Sequence, residues 1–397
     1  MTRKPLAATT ELAPSVPQRT LVLCFDGTAD QYDGYNTNVV KLFALLKKDD
    51  FREQLCYYQS GIGTYLTPGM VAPLMEWGAK VLDEAFAIYL NNHVMDGYRF
   101  LMENYHSGDK ICIFGFSRGS YTARALAGML HKVGLLPRDN QEQIPLAYKM
   151  YQKTSAAAIE LATGYKQTFC QNVTVEFLGV WDTVASVGVL MGRSLPFTGT
   201  NDSIKTFRHA VSLDERRVRF QPYLWEPKED APAKDPSQTD VLEVWFSGCH
   251  SDIGGGSVAN DVARSLSDIT LHWMLSQIMA STSGILFDPE ALARASLSID
   301  GQPTVPGVDD ADSSEPPDDQ LAGFSAWWLL EVLPLSWSVQ DTKGSWHSKL
   351  GFHLGRGRTV VDPKPKFHIT VKDRMKNTAL KYKPKAQWAA GTEVYVG

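Results

Sequence analysis

Long hydrophobic runs are missing from this sequence. No uncharged apolar stretch of roughly 18 residues, the length a membrane-spanning helix needs, occurs among its 397 residues. The first 19 residues are polar and contain proline, with cations at Arg3 and Lys4 but no apolar segment behind them. They read as a flexible arm rather than a secretory signal. Cysteine is scarce: Cys24, Cys56, Cys112, Cys170 and Cys249 are widely spaced, odd in number and form no CxxC pair. That pattern excludes a disulfide framework and predicts reduced thiols in a cytoplasmic protein. Charge of one sign is missing too. Lys plus Arg number 39 and Asp plus Glu 44, a net charge of −5. A nucleic-acid partner, which needs a basic face, is not expected. No HExxH, dinucleotide fingerprint, GxxxxGK[ST] loop or Cys/His cluster appears, so no metal and no organic cofactor is expected to take part.

What is present is ordinary globular composition, 44% hydrophobic and 21% charged, on a chain long enough to bury a large core unaided. TLVLCFDGT (20–28), LCYYQSGIGT (55–64), KICIFGFSRGS (110–120), VTVEFLGVWDT (173–183) and DVLEVWFSGCHSDIGGG (240–256) are apolar runs that end in polar or glycine-rich loops. Uninterrupted apolar runs are what strands covered on both faces require. Helical spacing between 70 and 105 predicts two helices, and YTARALAGMLHKVGLL predicts one ending near Gly134. Strand–loop–helix units of this kind build an α/β fold with a mostly parallel, doubly wound sheet, whose chemistry lies at the carboxyl ends of the strands. Residues 226–240 and 300–320, rich in Pro and Asp, are expected to be exposed excursions from a single domain over 20–397. Trp327, Trp328 and Trp337 are expected in the core rather than on a substrate or membrane platform.

Chemistry concentrates on Gly115-Phe116-Ser117-Arg118-Gly119, a GxSxG directly between a strand and a helix. A serine on so sharp a turn has close neighbours on both sides, and glycines at −2 and +2 remove the Cβ atoms that would clash. Ser117 is therefore the candidate nucleophile; the plainer reading is a helix N-cap. A serine needs a base and the base an orienting acid, in the chain order Ser, Asp or Glu, His. Asp182 and His250 each end an apolar strand and complete that order, with Asp252 and Asp214 as competing acids. The oxyanion of an acyl intermediate would meet backbone N–H groups of Arg118 and of Gly27 or Thr28, with Asp26 and Asp252 supporting the loops. FDGT (25–28) also invites a phosphatase reading based on DxDGT, but Cys24 stands where that chemistry needs a carboxylate.

FDGT, Asn36-Thr37-Asn38-Val39, YYQSGIGT, GFSRGSYTAR, GVWDTVASVG, RHAVSLDERRVRFQP and VWFSGCHSDIGGG together resemble the α/β-hydrolase family known as domain of unknown function 2235, over roughly residues 20–280. That family includes type VI secretion phospholipase effectors, and this chain looks like a compact fungal-type member. The resemblance implies an α/β-hydrolase-like fold with helical cap insertions. It also implies an esterase, lipase or phospholipase with a triad on Ser117, Asp182 and His250. The expected substrate is a lipid or amphipathic carboxylic ester, with peripheral membrane contact as an option. A catalytically idle lipid- or peptide-binding protein of the same fold, or a small-ester or thioester hydrolase, stays open as the alternative.

Overall fold

The computed structural model describes residues 18–27, 30, 32–61, 79–184, 195–226, 238–323, 325, 327–341 and 345–397, with residues 79–88 as backbone only. Thr28, nearly all of the N-terminal arm, most of the 226–240 excursion and the apolar stretch before residue 79 lie outside the described residues.

Eight strands form one sheet: β1 (Thr20–Phe25), β2 (Gln54–Gln59), β3 (Lys110–Phe116), β4 (Val175–Trp181), β5 (Ile204–Ser212), β6 (Asp240–Phe246), β9 (Lys366–His368) and β10 (Val394–Val396). Their order is β10-β9-β6-β5-β4-β3-β1-β2, and every neighbouring pair runs parallel. Five of these strands coincide with the apolar runs of the sequence. β7 (Pro334–Gln340) and β8 (Trp346–Phe352) make a separate antiparallel hairpin.

Strand side chains alternate between two cores, as the pleat demands. Leu21, Leu23, Phe25, Ile111 and Ile113 face α2 (Ala79–Asn104) and α3 (Arg118–Val133). Val22, Cys24, Cys112, Phe114 and Phe116 face α1 (Asn38–Leu45) and α4 (Leu266–Met279). Because both faces are covered, the strands read as continuous rather than alternating apolar sequence. Within the 70–105 stretch the described part is a single helix of 26 residues. The helix after GFSRG ends at Val133 with Gly134 as its cap, as the sequence predicts.

The chain passes from β1 outward to β2 and returns on the other side of β1 to form β3. The loops after β1 and β3 therefore diverge and leave a crevice at the carboxyl end of the sheet, the usual place for a ligand in doubly wound folds. Residues 300–320 are mostly exposed or half-buried yet anchored at their end. The Asp318 N–H donates to Asp252 Oδ2 at 2.9 Å, and Asp319 pairs with Arg216 at 2.6 Å. Trp327, Trp328 and Trp337 are half-buried rather than core residues: Trp327 packs on Phe220, the Trp328 indole N–H donates to the Leu321 and Gly323 carbonyls, and Trp337 lies in the hairpin.

Candidate active site

Ser117 closes β3 and precedes α3 with φ 57° and ψ −123°, a region that a side chain occupies only when its surroundings force it. Those surroundings are backbone. A Cβ on Gly115 would lie 2.5 Å from the Gly119 carbonyl oxygen, and a Cβ on Gly119 would lie 2.3 Å from that of Phe25. The elbow is held from the neighbouring strand as well. The Ser117 N–H donates to the Trp181 carbonyl at 3.0 Å, and the Ser120 hydroxyl bonds the carbonyls of Gly115 and Trp181 at 2.7 and 2.9 Å.

Asp182 follows β4, and His250 opens the short helix after β6, so the sheet brings three strand ends to one rim. His250 Nε2 lies 2.8 Å from Ser117 Oγ, and His250 Nδ1 lies 2.6 Å from Asp182 Oδ2. All three are buried. The imidazole is packed between the rings of Phe116 and Phe220, at centroid distances of 4.7 and 4.9 Å. The Arg217 guanidinium covers Phe220 at 3.6 Å, and Trp327 stands edge-on to the same ring.

The competing acids are engaged elsewhere. Asp252 Oδ2 accepts from the N–H groups of Cys249 at 2.8 Å and Asp318 at 2.9 Å. Asp214 accepts from Gly248 N–H, Tyr382 hydroxyl and Lys385 N–H at 2.6, 2.7 and 2.9 Å. Asp252 thus supports the loop that carries His250, and Asp214 ties that loop to the C-terminal stretch.

Asp26 accepts from Thr37 hydroxyl and Tyr58 hydroxyl, each at 2.7 Å, and from its neighbour Gly27 N–H at 2.8 Å. This corrects one expectation: the Gly27 N–H, a candidate oxyanion donor, is turned onto the Asp26 carboxylate. Desolvation around a buried carboxylate makes that short-range bond the favourable use of the donor. Thr28, the other candidate donor on this loop, lies outside the described residues. Arg118 opens α3 directly after Ser117, so its backbone N–H belongs to the first turn of a helix, where partial positive charge gathers.

Charge states follow from burial and partners. Burial pushes the His250 imidazole below its ordinary value, against the opposing pull of Asp182, so its neutral, proton-accepting form prevails at neutral pH. Burial works to raise Asp182, yet the Arg358 guanidinium and the bonds from His250 and Arg358 hold it well below the usual carboxylate range. Glu215 likewise resists burial through Arg217 and sits at about 2. Its Oε2 accepts the His250 N–H at 3.2 Å. Asp30, on the loop beyond Asp26, is pushed up to about 8 by burial.

Sequence reasoning missed Arg358, Glu215 and Phe220, and placed Trp327 in the core. Glu215 and Phe220 stand in the quoted RHAVSLDERRVRFQP, but Arg358 sits in a basic run with no local signal, and its bond to Asp182 spans 176 positions. Among the described residues, His272, Asp309 and Asp312 bring metal-ligating atoms within 4.8 Å of one another. They share no residue with the Ser117 constellation, which needs no ion to make its contacts.

A family model described as "T6SS, phospholipase effector Tle1-like, catalytic domain" matches residues 19–277. The uncharacterized protein YEL023C of Saccharomyces cerevisiae is 38% identical over 229 residues, covering 54% of this chain and 34% of that protein. The chain therefore spans about a third of the length of this curated relative. A crystal structure of an uncharacterized protein from Pseudomonas aeruginosa is 20% identical, with a TM-score of 0.38, covering 74% of this chain and 48% of that one. The Tle1 effector bound to the VgrG spike of the type 6 secretion system is 22% identical, with a TM-score of 0.34, covering 66% of this chain and 57% of that one.

Proposed function

The chain belongs to the Tle1-like phospholipase effector catalytic-domain family, and from that premise we propose that it is a serine hydrolase of carboxylic esters. One observation carries the reading: the hydrogen-bonded run from Ser117 Oγ through His250 to a buried Asp182, on a glycine-flanked elbow. Ser117 Oγ attacks the ester carbonyl while His250 Nε2 takes its proton, and Asp182 holds the imidazole in the tautomer with hydrogen on Nδ1. The oxyanion is met by the Arg118 N–H at the start of α3. His250 then returns the proton to the departing alcohol, leaving the acyl group on Ser117. A water deprotonated by His250 cleaves that acyl-enzyme and restores the serine.

The substrate in this reading is a lipid or amphipathic ester. Supporting it are the phospholipase named in the family description and Phe220, half-buried beside the imidazole and packed on Trp327, since apolar walls hold acyl chains. No described helix is long and apolar enough to cross a membrane, and contact with a lipid surface is proposed to be peripheral.

A fluorophosphonate probe tests the nucleophile. The wild-type chain is expected to be labelled and Ser117→Ala to be inert, with turnover of a short aryl ester down by several orders of magnitude. Labelling that persists in folded Ser117→Ala would overturn the assignment. Rates on p-nitrophenyl esters from acetate to palmitate, then on phospholipid vesicles, test the substrate class. If kcat/KM falls with each added methylene and no lipid is turned over, the lipid assignment is lost and a small-ester hydrolase remains.

A further inference from the structure

Asp182 is held from a part of the chain that the family match does not reach. Its carboxylate takes four donors: Ser212 N–H and Arg358 Nη1 on Oδ1, at 2.9 and 2.6 Å, and His250 Nδ1 and Arg358 Nη2 on Oδ2, at 2.6 and 2.9 Å. Arg358 is 1% exposed. Its remaining hydrogens go to backbone, with Nη1 on the Ser212 carbonyl at 2.9 Å and Nε and Nη2 on the Phe220 carbonyl at 3.1 and 2.5 Å. All five guanidinium donors are therefore used, in the fixed fork that matches a carboxylate edge. A lysine can supply the charge but not the fork.

We infer that Arg358 is the positioning residue of the catalytic acid: it locks the Asp182 carboxylate in the orientation His250 requires and offsets its charge. The inference rests on the serine-hydrolase reading. It also makes the stretch beyond residue 277, where the family match ends, part of the catalytic unit. That stretch reaches the same site repeatedly. Asp318 N–H bonds Asp252, Tyr382 bonds Asp214, and Trp327 packs on Phe220.

The electrostatic consequence has a definite sign. An unshielded Asp182 would stabilise the imidazolium form of His250, and that form cannot accept the serine proton. With Arg358 bound, part of that stabilisation is cancelled, so His250 stays neutral to lower pH. The other charged groups around His250 are Glu215 and Arg217 from the loop after β5 and Asp252 on its own helix. Arg358 also helps to hold Glu215 ionised, and Glu215 keeps its paired bonds from Arg217 when Arg358 is changed.

The test uses the full chain, with Arg358→Gln and Arg358→Lys, and reads two quantities. The first is kcat/KM against pH on a soluble aryl ester; the second is the His250 titration midpoint followed by NMR of 15N-labelled histidine. In Arg358→Gln the midpoint and the acid limb are expected to rise together by about one pH unit, with kcat down by about 10²-fold. In Arg358→Lys the midpoint should return most of the way to wild type while kcat stays lowered. A folded Arg358→Gln with an unmoved midpoint and unchanged kcat overturns the inference. Should Arg358→Gln fail to fold, Arg358→Lys carries the test, and wild-type kcat there overturns it. If the wild-type chain hydrolyses no ester, the hydrolase reading falls, while the His250 midpoints still report on Arg358 separately.

Discussion

Ser117 and Asp182 both have positive φ, 57° and 37°, and each conformation costs on the order of 1–3 kcal/mol that neighbouring packing must offset. Ser117 is held by the flanking glycines, and Asp182 by Ser212, His250 and Arg358. Asp182→Asn is expected to cut kcat by about 10⁴-fold, because the amide favours the wrong imidazole tautomer. It also strips the buried Arg358 of its counter-charge, so a stability loss of roughly 3–5 kcal/mol accompanies it. Asp252→Asn and Asp214→Asn should leave kcat far closer to wild type. A larger kinetic loss in either, measured per folded molecule, would mean that the acid is misassigned. Proton balance at His250 gives a second expectation. Burial lowers the imidazole and only its neutral form accepts the serine proton, so activity is lost as pH falls through a midpoint below about 6.5. An acid limb of kcat/KM centred above that value would contradict this charge state.

At the scale of elements, the strand–elbow–helix unit of β3 and α3 is the part with least tolerance. A Cβ on Gly119 would meet the carbonyl oxygens of Phe25 and Asp26 at 2.3 and 2.4 Å, and neither backbone atom can swing aside as a side-chain tip would. Gly119→Ala should therefore push β1 from the elbow, costing roughly 1–3 kcal/mol and slowing fluorophosphonate labelling. Thermal unfolding together with the labelling rate checks this, and an unchanged pair of values would show the contact to be soft. The unit was legible in the sequence because its requirements are local: an apolar strand, two glycines at fixed offsets and a helix. β5 was not. IKTFRHAVS breaks its apolar run with Lys205, Arg208 and His209, whose partners are Glu176, Asp240 and Glu243. A polar residue in a strand reads as a loop signal until its partner on a neighbouring strand is known.

Across the whole molecule, burial has raised several carboxyls that fold in their protonated form. Asp252 is pushed up to about 7 and Asp30 to about 8, with burial the main cause in each. Their unfolded counterparts ionise near the ordinary carboxylate value, so the stability they contribute at low pH is lost as pH rises toward 7 and 8. Between about pH 6.5 and 8 this loss pulls the Tm down. Asp252→Asn keeps an acceptor oxygen for the Cys249 and Asp318 N–H groups but has no proton to lose, so its Tm should fall less. Equal falls in the two proteins, by scanning fluorimetry across that range, would remove Asp252 as a cause.

The amino-acid sequence by itself determined five strands of the sheet and named the residues that meet at their carboxyl ends. Strands buried on both faces must be continuously apolar, an elbow must have its glycines, and a residue at the end of such a strand arrives at the catalytic rim. Ser117, Asp182 and His250 were therefore readable one by one, from their own neighbours in the chain. Only the tertiary structure decided how they are held. It turned the Gly27 N–H onto Asp26, gave Asp252 and Asp214 to other donors and set Phe220, itself packed on Trp327, against the imidazole. It also brought Arg358 to Asp182 across 176 positions. The physical reason is range: strand and turn preferences act over a few residues, whereas desolvation of a charge and choice of its partner depend on whatever the finished fold places beside it.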